Sequence, residues 1–237
     1  LSEWEPVDTA QDHRRAVEEI RRRITVGDTY QANYTTRLRA SFSGDPVAFY
    51  HDLATAQSGG YGTYLDTGRH KIASASPELF FDRYPRSPDA DELITRPMKG
   101  TAPRGRWQAE DDLRRRELET SEKDRAENLI IVDLLRNDLG RICRFGSVEV
   151  QDLLALERYD TVWQMTSTIT GKVDPALGLV DVLRGLFPCG SITGAPKVRT
   201  MEIIAEQESN PRGVYTGAIG FLAPRDAAGP RASFSVG

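Results

Sequence analysis

Hydrophobic and polar residues change rhythm several times along this chain, and each rhythm predicts an element. From Asp8 to Val26, Val17, Ile20 and Ile24 recur at helical spacing among charged residues, and Gly27 can end that helix. From Thr29 to Phe42 the period drops to two. Tyr30, Ala32, Tyr34, Thr36, Leu38, Ala40 and Phe42 alternate with Gln31, Asn33, Thr35, Arg37, Arg39 and Ser41, which predicts one strand with an apolar face. A short helix over Pro46 to Ala56 follows, then Gly59-Gly60 as a breaker. Strands are expected over Tyr61 to Leu65, Lys71 to Ala75 and Glu78 to Tyr84. Pro85 to Asp91 reads as a polar loop and the best place for disorder. Strand Leu93 to Lys99 leads into a helical stretch from Ala109 to Leu139. Ser147 to Gly171 reads as strands and Pro175 to Phe187 as a helix. The chain continues with a strand over Val214 to Leu222, a turn at Pro224 to Pro230 and a strand from Ala232. Strand and helix blocks interleave without regular alternation, which favours an α+β fold over a doubly wound sheet.

Between those last blocks lies Phe187-Pro-Cys-Gly-Ser-Ile-Thr-Gly-Ala-Pro-Lys-Val-Arg-Thr-Met-Glu-Ile-Ile204. Pro196 suits a first helical turn, and Val198, Met201 and Ile204 follow at core-facing spacing. The turn Gly190 to Gly194 then stands at a helix N-terminus, where free N–H groups and the helix dipole attract anions. Ser191 and Thr193 add hydroxyls and Lys197 a cation, so a carboxylate or phosphate is the expected guest. A P-loop is excluded, because no Gly-Lys-Ser/Thr ending is present. A plain capped helix after a loop stays open as the alternative.

Totals narrow the field. The chain has 237 residues, with an apolar fraction of 39% and a charged fraction of 28%, values of a soluble globular protein. A net charge of −4 gives no reason to expect nucleic acid or an anionic membrane surface. No apolar run approaches membrane-spanning length, and the acidic start Leu-Ser-Glu-Trp-Glu-Pro lacks a signal peptide's regions. Cys143 and Cys189 form no metal or redox spacing, which points to a reducing cytoplasm.

Several further residues can carry chemistry. Glu78 follows Pro77 at the start of an apolar strand; facing a cleft, its carboxylate would be partly desolvated and suited to proton transfer, and facing water it would be an ordinary edge residue. Lys99, in Arg96-Pro-Met-Lys-Gly-Thr101, can reach a pocket from a strand end, and desolvation would make its amine nucleophilic. Asp124 and Glu127 project from one helix face and, with waters, suit magnesium; alone, such a pair is usually a solvated face. The small-residue stretch around Tyr215 and Gly217 permits close approach of a ligand, or merely a tightly packed sheet.

The segment Gly190-Ser-Ile-Thr-Gly-Ala-Pro-Lys197 resembles the chorismate-binding enzymes, a family that includes anthranilate, aminodeoxychorismate, isochorismate and salicylate synthases. Matching segments recur along nearly the whole chain. The resemblance implies a single domain over residues 1–237, with two packed antiparallel sheets, helices outside and the C-terminal end missing. It puts Glu78, in Ser-Pro-Glu, at the substrate ring as acid/base. Most relatives typically carry Ala at Lys99. The aminodeoxychorismate synthases carry Lys, which attacks the ring covalently before ammonia displaces it. The resemblance therefore implies amination of chorismate to 4-amino-4-deoxychorismate, towards 4-aminobenzoate and folate, with ammonia from a glutamine amidotransferase partner. It makes Glu127 the direct magnesium ligand and Asp124 a ligand through water, and has Tyr215 and backbone near Gly217 line the pocket. Relatives often carry His at Gln164, near the leaving hydroxyl; Gln can hydrogen-bond there but cannot titrate. The family continues past the strand from Ala232 with a substrate-binding Arg, a Gly-rich segment and further Glu ligands, so an incomplete metal site is expected. Three rivals remain. Anthranilate synthesis would favour Ala at Lys99, and water-using isochorismate or salicylate synthases need a Lys base near Gln31. A catalytically inactive binding module is the third.

Overall fold

The structure, a computed structural model, describes residues 1–57, 60–224 and 229–237. Its elements run β1 (Glu5–Pro6), α1 (Ala10–Thr25), β2 (Gln31–Ala32), β3 (Leu38–Arg39), α2 (Pro46–Gln57), β4 (Tyr61–Asp66), β5 (Lys71–Ser76), β6 (Leu79–Ser87), β7 (Ala90–Arg96) and β8 (Met98–Pro103). They continue with α3 (Gln108–Thr120), α4 (Glu122–Gly140), β9 (Glu149–Arg158), β10 (Val162–Val173), α5 (Leu179–Leu186), β11 (Gly194–Ala195), α6 (Lys197–Gln207), β12 (Ala218–Leu222) and β13 (Ala232–Val236). The α+β class holds. One antiparallel seven-stranded sheet runs β12-β13-β6-β7-β10-β8 with β9 on β10, and β1–β3, β2–β11 and β4–β5 form three two-stranded pairs.

Strand β10 organises the sheet. Its first half pairs with β8 and its second half with β7, while β9 lies along β10 as well. Pro97, which has no N–H for a ladder, separates β7 from β8. The expected strand Leu93 to Lys99 is thus two strands meeting at a bend, and Lys99 stands just past it. Helix α4 packs on this sheet through Ile131, Val132, Leu135 and Leu139, spaced for one helix face, against Phe80, Phe81, Leu93, Ile169 and Val173. Each such side chain, fully buried, contributes about 1.5–3 kcal/mol.

Several expectations are corrected. The alternating stretch from Thr29 to Phe42 forms only the short strands β2 and β3, and Tyr30, Leu38 and Phe42 are exposed. Period two marks a face, but a strand exists only where a partner supplies hydrogen bonds, and here the partners β11 and β1 are two residues long. Pro85 to Asp91 is not a loop: β6 runs through Pro85 and turns directly into β7. The helical stretch from Ala109 to Leu139 is broken at Ser121, whose hydroxyl caps α4 by accepting from the Asp124 N–H at 3.3 Å. The strand expected from Val214 begins at Ala218, and the helix expected from Pro175 begins at Leu179. Gly59 and most of the turn from Pro224 to Pro230 lie outside the described residues. Among the described residues, no helix is long and apolar enough to cross a membrane.

Candidate active site

Glu78 stands at the corner where Pro77 turns the chain from β5 into β6. Its N–H donates to Ser76 Oγ at 3.3 Å, and its carbonyl accepts from the Val236 N–H at 3.1 Å. The carboxyl end points inward. Hydrogen bonds from the Ser191 hydroxyl and the Met98 N–H reach it, but Oε1 is buried without a partner among the described residues. Burial outweighs those bonds and the nearby Lys99 charge, and pushes the carboxyl pKa up to about 7.

Lys99 approaches the same place from β8. Its Nζ donates to Asn33 Oδ1 at 3.2 Å. Burial lowers its pKa, against the opposing pull of Glu78, Glu127 and Cys189. Its carbonyl accepts from Asn128 Nδ2 at 3.2 Å, and Asn128 Oδ1 accepts from Ser167 Oγ at 2.7 Å. Asn128 is wholly buried, so this polar chain fixes the strand around Lys99. The next residue lets α4 come close: Gly100 has φ of +95°, and a Cβ there would lie 3.0 Å from Asp124 Cβ. That approach brings Glu127 within electrostatic reach of Lys99.

Asp124 and Glu127 differ in what they can offer a metal. Asp124 accepts from the Ser121 hydroxyl at 2.5 Å as part of the helix cap. Glu127 has Lys123 at 3.9 Å as its ion pair among the described residues, and its side chain is 35% exposed. Among the described residues no group of three or more His, Cys, Asp and Glu converges. One free carboxylate and one capped one fit magnesium, which binds through one or two carboxylates and completes its shell with water and substrate oxygens.

The turn after α5 is arranged differently from expectation. Gly190–Ile192 is a single 3-10 turn, β11 follows, and α6 begins only after Pro196, which is its N-cap rather than its first helical residue. Ser191 and Thr193 are both buried. Thr193 Oγ1 donates to Cys189 O at 3.1 Å, and Ser191 Oγ lies between Glu78 and Cys189 Sγ, 3.2 Å from the latter. Gly194 has φ of +144°, and a Cβ on it would lie 2.0 Å from Gln31 O. The turn therefore presses against β2, which carries Asn33 to Lys99. Lys197 is not free for an anion: its ammonium holds Asp138 and donates to Leu186 O at 2.9 Å. The buried face of α6 is Thr200, Ile203 and Ile204, while Val198 and Met201 are exposed.

Gln164 has both ends of its amide engaged. Oε1 accepts from Thr101 Oγ1 at 2.7 Å, and Nε2 donates to Gly100 O at 2.8 Å. It braces the backbone beside Lys99. Tyr215 and Gly217 lie in the turn before β12 and, with Thr193, line an open groove of about 460 Å³ whose wall contains neither Lys99 nor Glu78. Burial pushes the Cys189 thiol up to about 12, which leaves it inert at neutral pH. The structure thus brings together Lys99, Glu78, Ser191 and Glu127, keeps Tyr215 and Gly217 in the groove, and commits Lys197 elsewhere. Sequence reasoning missed Asn33 and Asn128, because contacts across such separations leave no local spacing to read.

A family model described as chorismate binding enzyme matches residues 1–230. The chain is 44% identical over 216 residues to an aminodeoxychorismate synthase of Streptomyces pristinaespiralis, a match covering 91% of this chain and 30% of that protein. It is 43% identical over 206 residues to an anthranilate synthase component 1 of Haloarcula marismortui, covering 87% of this chain and 41% of the relative. The crystal structure of anthranilate synthase component I from Streptococcus pneumoniae superposes with a TM-score of 0.85 at 31% identity, over 99% of this chain and 50% of that one. The chain spans half or less of the length of these relatives.

Proposed function

This chain belongs to the chorismate-binding enzymes, and from that premise we propose that it aminates chorismate to 4-amino-4-deoxychorismate, with Lys99 as covalent nucleophile and Glu78 as acid/base. The observation that carries the reading is the placement of these two half-buried groups within electrostatic reach of each other, with Lys99 Nζ held by Asn33 and their pKa values moved towards each other, Lys99 down and Glu78 up to about 7. An amine must be neutral to attack, and an acid must hold its proton to release a hydroxyl as water. Burial favours both neutral forms.

Protons balance as follows. Neutral Lys99 Nζ forms a bond to a ring carbon while the ring C–O bond breaks, and Glu78 gives its proton to the departing hydroxyl, which leaves as water. The alkylated ammonium returns a proton to Glu78. Ammonia then attacks the ring, the bond to Nζ breaks, and Glu78 reprotonates the departing lysine amine, later recovering a proton from the new ring ammonium. Asn33 Oδ1 orients Nζ through these steps. Glu127, with Asp124 through water, would hold magnesium, which supplies electrostatic stabilisation of the substrate carboxylate. Ammonia would come from a glutamine amidotransferase partner.

A second reading, amination at the ring carbon beside the carboxylate-bearing one to give anthranilate, is favoured by the relatives named anthranilate synthase at comparable identity. Incubation with chorismate, magnesium and ammonium, followed by product analysis, separates the two. The first reading expects 4-amino-4-deoxychorismate, and a ring-sized mass on Lys99 when ammonia is omitted. Anthranilate with released pyruvate, or an adduct on another residue, overturns it.

A further inference from the structure

Arg212 lies on the loop after α6, outside the reacting groups, with its side chain 16% exposed. Its partner Glu208 is 8% exposed and accepts from Nε at 2.9 Å and Nη2 at 2.7 Å. The remaining donors go to Ile192 O at 2.8 Å and Thr216 Oγ1 at 3.3 Å from Nη1, and to Asn33 O at 2.6 Å from Nη2. A guanidinium has five N–H groups, so every one is spent and none is left for a substrate. The two carbonyls it grips sit at telling places. Asn33 is the residue whose side chain meets Lys99 Nζ, and Ile192 follows Ser191, whose hydroxyl meets Glu78. Asn33 Nδ2 also donates to Ser191 O, joining the two segments directly.

We propose that Arg212 is a positioning residue: one planar guanidinium, neutralised by Glu208, fixes the spacing between the segment that holds Lys99 and the segment that holds Glu78. This rests on the reading of Lys99 and Glu78 as the reacting pair. A rigid fork is required, because a lysine ammonium offers its donors from a single atom and cannot span both carbonyls in their present positions.

The test compares Arg212→Ala and Arg212→Lys with the parent protein in two independent arms. Hydrogen exchange reads the geometry without any reaction. The Asn33 amide, which donates to Thr193 O at 2.8 Å, and the Tyr30 amide, which donates to Ala195 O at 2.8 Å, should exchange about tenfold faster or more in both variants. Amides of the β6–β7 hairpin should keep their rates. Kinetics reads the chemistry: kcat should fall by about ten- to a hundredfold with the KM for chorismate within about twofold. Millimolar guanidinium, and not sodium chloride of equal ionic strength, should restore part of kcat in Arg212→Ala. Unchanged exchange at Asn33 and Tyr30 overturns the proposal, as does faster exchange with unaltered kcat. If Arg212→Ala does not fold, Arg212→Lys decides by the same criteria. A parent protein that turns over no chorismate sinks the reaction reading instead, and the exchange arm then decides the positioning claim alone.

Discussion

Arg83 and Glu78 sit on one strand and its entry corner, and both are charged side chains turned into the protein. Four of the five N–H groups of Arg83 are engaged, one of them by a carboxylate. Nε meets Asp91 at 2.7 Å, Nη1 meets Leu177 O at 2.6 Å, and Nη2 meets the carbonyls of Asp174 and Pro175 at 3.1 Å each. Asp91 in turn takes Arg231 at 3.3 Å, and neither Arg83 nor Asp91 is more than 5% exposed at its side chain. Glu78 keeps one oxygen buried without a partner among the described residues, and its neighbour Lys99 has a neutral amide for company. A buried charge matched by an opposite charge and a ring of carbonyls belongs to the architecture. One left short sits at the edge of neutrality, where proton and bond transfer are accessible.

Substitutions can break or sharpen that contrast, and their expected effects can be ranked. The largest is at Lys99: Lys99→Ala and Lys99→Arg should lower ammonia-dependent turnover by about three orders of magnitude or more and abolish the mass adduct. Thermal unfolding of both should stay near the parent value. A large loss of stability would mean that Lys99 resembles Arg83 after all. Next comes Asp91→Ala, which strands a buried guanidinium and should cost about 3–5 kcal/mol of stability in denaturant melts. Turnover per folded molecule should be kept.

Glu78→Gln sharpens the contrast through pH. The folded carboxyl pKa, about 7, lies above the ordinary value of 4.5. The stability it contributes is therefore fully present below about 4.5 and lost as pH rises through about 7, a swing on the order of 3 kcal/mol. Glu78→Gln should flatten that part of the stability profile and lower turnover about a hundredfold. A profile identical to the parent's would place Glu78 in water. The smallest effect is expected at Glu127. Glu127→Ala should weaken magnesium binding measured by calorimetry in the presence of chorismate by about tenfold, with little binding in its absence for either protein. Tight magnesium binding that survives the substitution would move the metal elsewhere.

Legibility in the sequence follows the same divide. Glu78 and Lys99 were candidates through the family resemblance, since the Pro-Glu corner and the strand end before Gly100 leave an edge carboxylate and a surface amine equally open. The cap at Ser121 was readable in principle from Ser-x-x-Asp, yet unbroken apolar spacing on both sides hid it. Lys197 looked like a cation for a ligand until α4 supplied Asp138 from across the fold. The buried face of α6 differs from the expected Val198, Met201 and Ile204 because helix phase depends on where the helix starts, and the start lies beyond β11. Asn33 and Arg212 are silent in sequence, since their meaning comes from carbonyls that only the fold assembles.

Gly194 carries a consequence for how this chain can change over generations. The nearest atom a new side chain there would meet is Gln31 O, which belongs to the main chain; the Thr200 side chain follows at 2.7 Å. No exchange of the residue at 31 removes a main-chain oxygen, so no second substitution at the point of contact can compensate for the first. Most crowded positions in a protein interior drift as matched pairs, a larger residue on one side answered by a smaller one on the other. At position 194 a smaller residue in place of Thr200 would relieve the farther contact and leave the Gln31 oxygen in place. A lineage can leave glycine there only by moving β2 itself, and with it Asn33 and the hold on Lys99.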